Sequence, residues 1–284
     1  MKNILVPCDF SKSSDNAFLF ALDVASRSPY GTIHLLNVVE LPAIHDTLGM
    51  PVASFESQLL KEIREKGEDE YRKFVNKFQV ADTKIEFDLE FGSVTRKILD
   101  YVNHRSIDLI IMGSHGASGF REYVIGSNAE KIVRSATVPV IIVKQQGHKP
   151  IRNIVFPNTL QTEGQEDLVN KVKELQHFYD ATLHIVWINT PVNFTSDLVT
   201  KERMKAFVEH HNLKDYTTSI FNYPNEQQGI IEFSRMIEGD MIAMATHGHK
   251  GLSHVLLGSF AEDVVNHTEK LIWTYSLKNA TVMA

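Results

Sequence analysis

Asp108–Gly116 reads DLIIMGSHG, and the pattern returns at Asp240–Gly248 as DMIAMATHG. In each copy a short apolar run sits between an aspartate and a small residue. Such a run reads as a strand buried on both faces. Downstream, GSNAEKIV at Gly126–Val133 returns as GSFAEDVV at Gly258–Val265, at the same numbering offset of 132. Upstream the offset is 150: NILVP at Asn3–Pro7 returns as NIVFP at Asn153–Pro157, and GTIHLLNVV at Gly31–Val39 as ATLHIVWIN at Ala181–Asn189. Ordered matches at two constant offsets mean an internal duplication. The second copy is therefore shorter by the difference between the two offsets. The long segment Leu41–Lys77 is where the loss is expected.

Each copy alternates strands with amphipathic helices. In the first, the expected strands are Asn3–Val6, Thr32–Val38, Lys84–Leu89, Leu109–Met112 and Val140–Val143. The helices are Ser13–Ser26, Phe55–Phe78, Val94–His104 and Ser127–Ser135. Ser13–Ser26 turns Ala17, Phe20, Ala21, Val24 and Ala25 to one face; Phe55–Phe78 turns Leu59, Ile63, Tyr71, Phe74 and Phe78. The second copy repeats the order, with strands at Ile151–Phe156, Thr182–Ile188, Thr217–Phe221, Met241–Ala245 and Lys270–Ser276. Alternation of this kind predicts α/β domains, each a parallel sheet with helices on both faces. Lys144–Pro150 carries Gly and Pro and reads as the linker, which gives domains 1–146 and 147–284.

Composition narrows the function. A chain of 284 residues, 43% hydrophobic and 23% charged, supports two ordinary cores. A net charge of −6 argues against a nucleic-acid partner, which needs a basic face. No apolar stretch is long enough to span a bilayer, so no membrane partner is expected. The single cysteine, Cys8, rules out an intrachain disulfide and fits a reducing, cytoplasmic setting. Metal binding is disfavoured: His247, His249, His254 and His267 are spread over a loop and a helix rather than convergent.

The chemistry-bearing segment is GSHGASGFREYVIGS, Gly113–Ser127. Gly113 follows a strand and Ser127 opens a helix, with Gly116 and Gly126 between. Glycines let backbone approach an anion, and a helix N-terminus supplies unpaired N–H donors. Phosphate is the expected guest. The alternative is local: Ser127 with Glu130, and Ser259 with Glu262, fit a capping box, so each serine has a purely structural reading beside the functional one. The spacing is neither a P-loop nor the dinucleotide fingerprint.

G-x-x-G, nine residues, then G-S at Gly113, Gly116, Gly126 and Ser127 resembles the ATP-binding motif of the universal stress protein family. The opening NILVPCDFS and the AEKIVRSATVPVIIV run resemble that family too. The resemblance implies a Rossmann-like, five-stranded parallel sheet in each domain and back-to-back pairing of the two, here within one chain, with a homodimer left open. It implies ATP or a related adenine nucleotide, with or without Mg, and a nucleotide-dependent regulatory role in stress response. By motif position, Asp9 would meet ribose or adenine and Pro7 would shape its turn. Val38 would pack on adenine, with Met112 and Gly113 lining the adenine and ribose side. Gly116, Gly126, Ser127 and Asn128 would surround the phosphates, with Arg121 nearby. Each has a plainer reading: Asp9 as a turn residue, Val38 as core, Arg121 as a solvated loop arginine.

The second copy departs from the motif. Ala245 stands for the first glycine, Thr159 for Asp9, and Trp187–Ile188 for Asn37–Val38, while Gly248, Gly258 and Ser259 persist. Weaker or no binding is expected there, hence one nucleotide per chain. No residues are assigned to catalysis. Cys8 reads as a small apolar strand-end residue. His115 and His247 match in position without a partner for chemistry. A nucleotide-independent scaffold and a slow ATP hydrolase stand as the alternatives.

Overall fold

The computed structural model describes residues 1–28, 30–41, 52–78, 80, 83–114, 125–144, 150–246 and 264–277. Its strands are β1 Asn3–Pro7, β2 Thr32–Val39, β3 Lys84–Phe91, β4 Leu109–Gly113, β5 Val140–Val143, β6 Asn153–Pro157, β7 Thr182–Asn189, β8 Tyr216–Asn222, β9 Met241–Ala245 and β10 Leu271–Tyr275. Its helices are α1 Lys12–Ser26, α2 Val52–Phe78, α3 Val94–His104, α4 Ser127–Ser135, α5 Glu166–Tyr179, α6 Asp197–His210 and α7 Glu226–Met236. The sheet runs β3-β2-β1-β4-β5-β10-β9-β6-β7-β8. Each half is thus a five-stranded parallel sheet, and the two orders mirror one another.

The halves meet through β5 and β10, which pair antiparallel with Ile141 opposite Trp273. The pairing is internal, as expected, but it is made edge to edge. Each of these strands would otherwise present unpaired backbone groups at a sheet edge. The core does not stop at the seam. One apolar cluster holds Ile141 with Trp273, and the cluster on the opposite face holds Ile142 with Ile272. The outer edge strand β3, KIEFDLEF, alternates charged and apolar residues. The inner strands are apolar on both faces, which is the signature of a covered parallel sheet.

Repeated residues without obvious chemistry find structural roles. Asp108 Oδ2 accepts from the N–H groups of Lys2 and Asn3 at 2.7 and 2.9 Å. Asp240 Oδ2 does the same for Arg152 and Asn153 at 2.8 and 2.9 Å. The aspartate before each glycine-loop strand therefore pins the start of its neighbour. Left-handed backbone recurs at the two offsets as well: Phe10 and Leu160, Tyr30 and Asp180, Ser106 and Glu238 all have φ between 49° and 66°. Backbone path was kept where side chains were not.

The shortening falls where it was expected. α2 has 27 residues and α6 has 14. The connection before the helix also contracts, from positions 40–51 to positions 190–196. Together these account for the whole change of offset from 150 to 132. α2 packs its predicted stripe, with Phe74 buried and Phe18 of α1 at 5.0 Å from its ring. Gly67 lies on this face because a side chain there would collide with Leu89.

Candidate nucleotide site

The strand order reverses at β1 and β4: from β1 the chain goes outward to β2, and β4 leads towards the seam. Crevices at the carboxyl ends of such strands are where open α/β sheets hold ligands. A cavity of about 320 Å³ lies there. Among the described residues it is lined by Pro7, Asp9, Val38, Met112, Gly113, Gly126, Ser127 and Asn128, all marked by the sequence motif. Cys8, Ser14, Leu36, Val94, Ile98 and Ala129 complete the wall without any such mark. Gly116, Arg121 and His115 lie outside the described residues. Five stretches distant in sequence thus share one cavity.

Asp9 fulfils its turn role. Its Oδ1 accepts from Ser11 N at 3.1 Å and from Ser14 Oγ at 2.6 Å, while Ser14 Oγ accepts from Asp9 N at 3.1 Å. This braces the bend at Phe10, whose φ is 59°. Cys8 is buried at the strand end, and burial pushes its thiol pKa up to about 12. It stays protonated and serves packing rather than nucleophilic chemistry.

Gly113 has a packing requirement. An added Cβ would lie 2.8 Å from the carbonyl oxygen of Ser13 in the first turn of α1. In the second half α5 begins at Glu166, four residues later than the 150 offset would place it. That missing turn is the structural difference beside Ala245. The alanine thus stands where the first turn of α1 has no counterpart.

The capping-box reading of Ser127 does not hold. Gly126 is the N-cap of α4, no side chain caps this end, and Glu130 pairs with Arg134 at 3.0 Å. Ser127 and Asn128 are exposed. The N–H groups of Ser127, Asn128 and Ala129 have no acceptor among the described residues. Uncapped donors at a helix start are what an anion needs. Asn128 Oδ1 accepts from Thr95 Oγ1 at 3.2 Å, which fixes its carboxamide.

The second half has a larger opening of about 870 Å³, shifted towards β7 and α6. Thr159, Trp187, Ile188, Arg203 and Glu226 line it, and Met244 and Ala245 are absent from its walls. Thr159 Oγ1 accepts from Gln165 Nε2 at 3.2 Å. Glu226 stands where the first half has Val94, and burial raises its carboxyl above the usual range. The 132 offset pairs Val94 with Glu226, so this exchange is visible in the sequence once α3 is known to reach the cavity. Gly248, Gly258 and Ser259 lie outside the described residues, as do His247, His249 and His254. Among the described residues no cluster of three metal-ligating side chains occurs, and no helix is long and apolar enough to cross a membrane.

The family model of the universal stress proteins matches twice, at residues 1–144 and 150–273. Universal stress protein G of Salmonella typhimurium is 30% identical over 148 residues, 50% of this chain and 99% of that protein. A universal stress protein structure from Archaeoglobus fulgidus superposes over 96% of both chains with TM-score 0.71 at 20% identity, a likeness of fold. A putative universal stress protein from Pseudomonas aeruginosa covers 97% of this chain and 93% of its own, with TM-score 0.65 at 16% identity. With two successive matches to one family model, on two halves of one strand order, the chain belongs to the universal stress protein family as a tandem protein.

Proposed function

We propose that the first half binds ATP or a related adenine nucleotide, with or without Mg, and that the protein is a nucleotide-dependent regulator of stress response in the cytoplasm. The domains are taken as 1–146 and 147–284. The observation carrying this reading is the convergence of Asp9, Val38, Met112 and Gly126–Asn128 on one cavity that ends at an uncapped helix N-terminus. Val38 and Met112 offer an apolar wall for the base, and the Asp9 carboxylate an acceptor for ribose. Gly113 borders the sugar, and Pro7 sets the turn carrying Asp9. Gly126, Ser127 and Asn128, with Gly116, hold the phosphates. The cavity volume falls at the low end of what small-molecule sites occupy.

The second half is read as a weak site or none. Its opening has Glu226 where the first has the apolar Val94, its threonine hydroxyl is engaged by Gln165, and Met244 and Ala245 do not line it. The expected stoichiometry is one nucleotide per chain. Calorimetric titration with ATP, ADP and cyclic AMP tests this; no saturable binding at millimolar nucleotide rejects it. Asp9→Asn keeps an oxygen for the turn but loses the charge. It is expected to weaken binding about tenfold with little change in stability, the difference between a charged and a neutral hydrogen bond.

A nucleotide-independent scaffold is the second reading. It is favoured by the structural work of Gly113 and Asp9, both explained without a ligand. It predicts no bound nucleotide and unchanged partner binding after Gly116→Val. Slow hydrolysis is separated from binding by a turnover assay with magnesium.

A further inference from the structure

The turn that delivers Ser127 to α4 is held from the other half of the molecule. Ile125 N–H donates to Asn266 Oδ1 at 2.6 Å. Asn266 lies in the helical segment 264–267, between strands β9 and β10 of the second half. Its own carbonyl accepts from Lys144 Nζ at 3.2 Å. Lys144 follows β5, and its carbonyl accepts from Asn16 Nδ2 of α1 at 3.1 Å. One residue of the second half thus clasps two segments of the first. The clasp is part-buried: Ile125 is 5% exposed, Val264 and Val265, just before Asn266, are 0% exposed, and Asn266 and Lys144 are half-buried. Its position beside the β5–β10 seam joins it to the contact between halves.

The arrangement is asymmetric. The 132 offset places Arg134 at the position of Asn266, and Arg134 donates to Glu130 of its own helix at 3.0 Å. The duplication has therefore placed an interdomain acceptor in one copy and an intrahelical donor in the other.

We propose that Asn266 is a positioning residue for the first half's nucleotide loop, so that nucleotide binding and closure of the interdomain seam are linked. This rests on the adenine-nucleotide reading of the cavity. Without the Asn266 oxygen, the Ile125 N–H is a buried donor with no acceptor, and the turn must shift to satisfy it. Gly126 and Ser127 are the next two residues, so the shift reaches the uncapped donors of α4. Linkage is reciprocal: whatever factor the clasp adds to nucleotide affinity, nucleotide adds to the clasp. The second domain then acts on the first without binding nucleotide itself, and occupancy of the first is read out as tightness of the seam.

The test uses the full chain with Asn266→Leu, which removes the acceptor, and Asn266→Asp, which keeps one. ATP titration, thermal unfolding without nucleotide and amide hydrogen exchange with and without ATP are measured. Asn266→Leu is expected to weaken ATP binding about tenfold, and Asn266→Asp by less than about threefold. In the wild type, ATP is expected to slow exchange at Ile125 and across 271–275. Should Asn266→Leu fail to fold, Asn266→Ala replaces it. Equal ATP affinity in wild type and the Leu or Ala variant overturns the proposal, as does exchange at 271–275 indifferent to ATP. Absence of ATP binding by the wild type overturns the nucleotide reading itself, and is recognised at the first titration.

Discussion

Gly113 illustrates how one residue carries two explanations. It lines the cavity, and it also lies too close to Ser13 to tolerate a side chain. The packing demand is the one the geometry carries without a ligand. Gly113→Ala is expected to destabilise the protein by about 1–3 kcal/mol, the usual cost of overpacking. Denaturant titration checks this, and an unchanged midpoint would show that α1 yields freely. Asp9 is similar, since one of its oxygens is already committed to the turn. Its remaining value to a ligand is charge, which is why the asparagine variant separates the two roles. Ser127 goes the other way: sequence offered it a capping role, and the helix took Gly126 as its cap instead.

Among the elements, β2, β3 and α3 are tied by a buried polar chain. His34 Nδ1 lies 3.2 Å from Tyr101 Oη, and that hydroxyl donates to Asp88 Oδ2 at 2.6 Å. The tyrosine proton is committed to Asp88, so His34 Nδ1 is the donor to the hydroxyl. Burial lowers the His34 pKa below its ordinary 6.5, against the pull of Glu86 in the other direction. A folded-state pKa below the unfolded value means the unfolded chain takes up the proton first. Stability from this group is present above the unfolded value of 6.5 and is lost as pH falls from there through the lower folded-state value. Urea midpoints at pH 7.5 and 5.5 are expected to differ in that direction, and His34→Gln should shrink the difference. An undiminished difference in the variant would assign the effect to other groups. His184, in the same place of the repeat, is also lowered by burial and contributes with the same sign.

On the scale of the molecule, the seam decides whether the halves behave as two domains or one. Both apolar clusters run through it, and Trp273 is fully buried there. A single cooperative unfolding transition is expected for the wild type. Trp273→Ala should cost about 3–5 kcal/mol and split the transition in two, because it empties the core shared across β5 and β10. Scanning calorimetry checks both, and one undivided transition in the variant would mean that the seam does not depend on this side chain.

The sequence by itself determined the duplication, the alternation of strands and helices, and the loss between β7 and β8. These follow from local apolar pattern and constant offsets, which need no knowledge of contacts. It also named most of one wall of the cavity, since Pro7, Asp9, Val38, Met112 and Gly126–Asn128 sit at strand ends or helix starts that the motif marks. Only the tertiary structure brought in Val94 and Ile98, because a helix face meets a cavity through packing that no spacing records. It alone set Gly113 against Ser13 and Ile125 against Asn266, pairs drawn from distant parts of the chain. A hydrogen bond or a steric limit between distant segments has no local signature. The glycine loop was legible as a motif; the bond that holds Ile125, just before Gly126, depends on how the second half lies against the first.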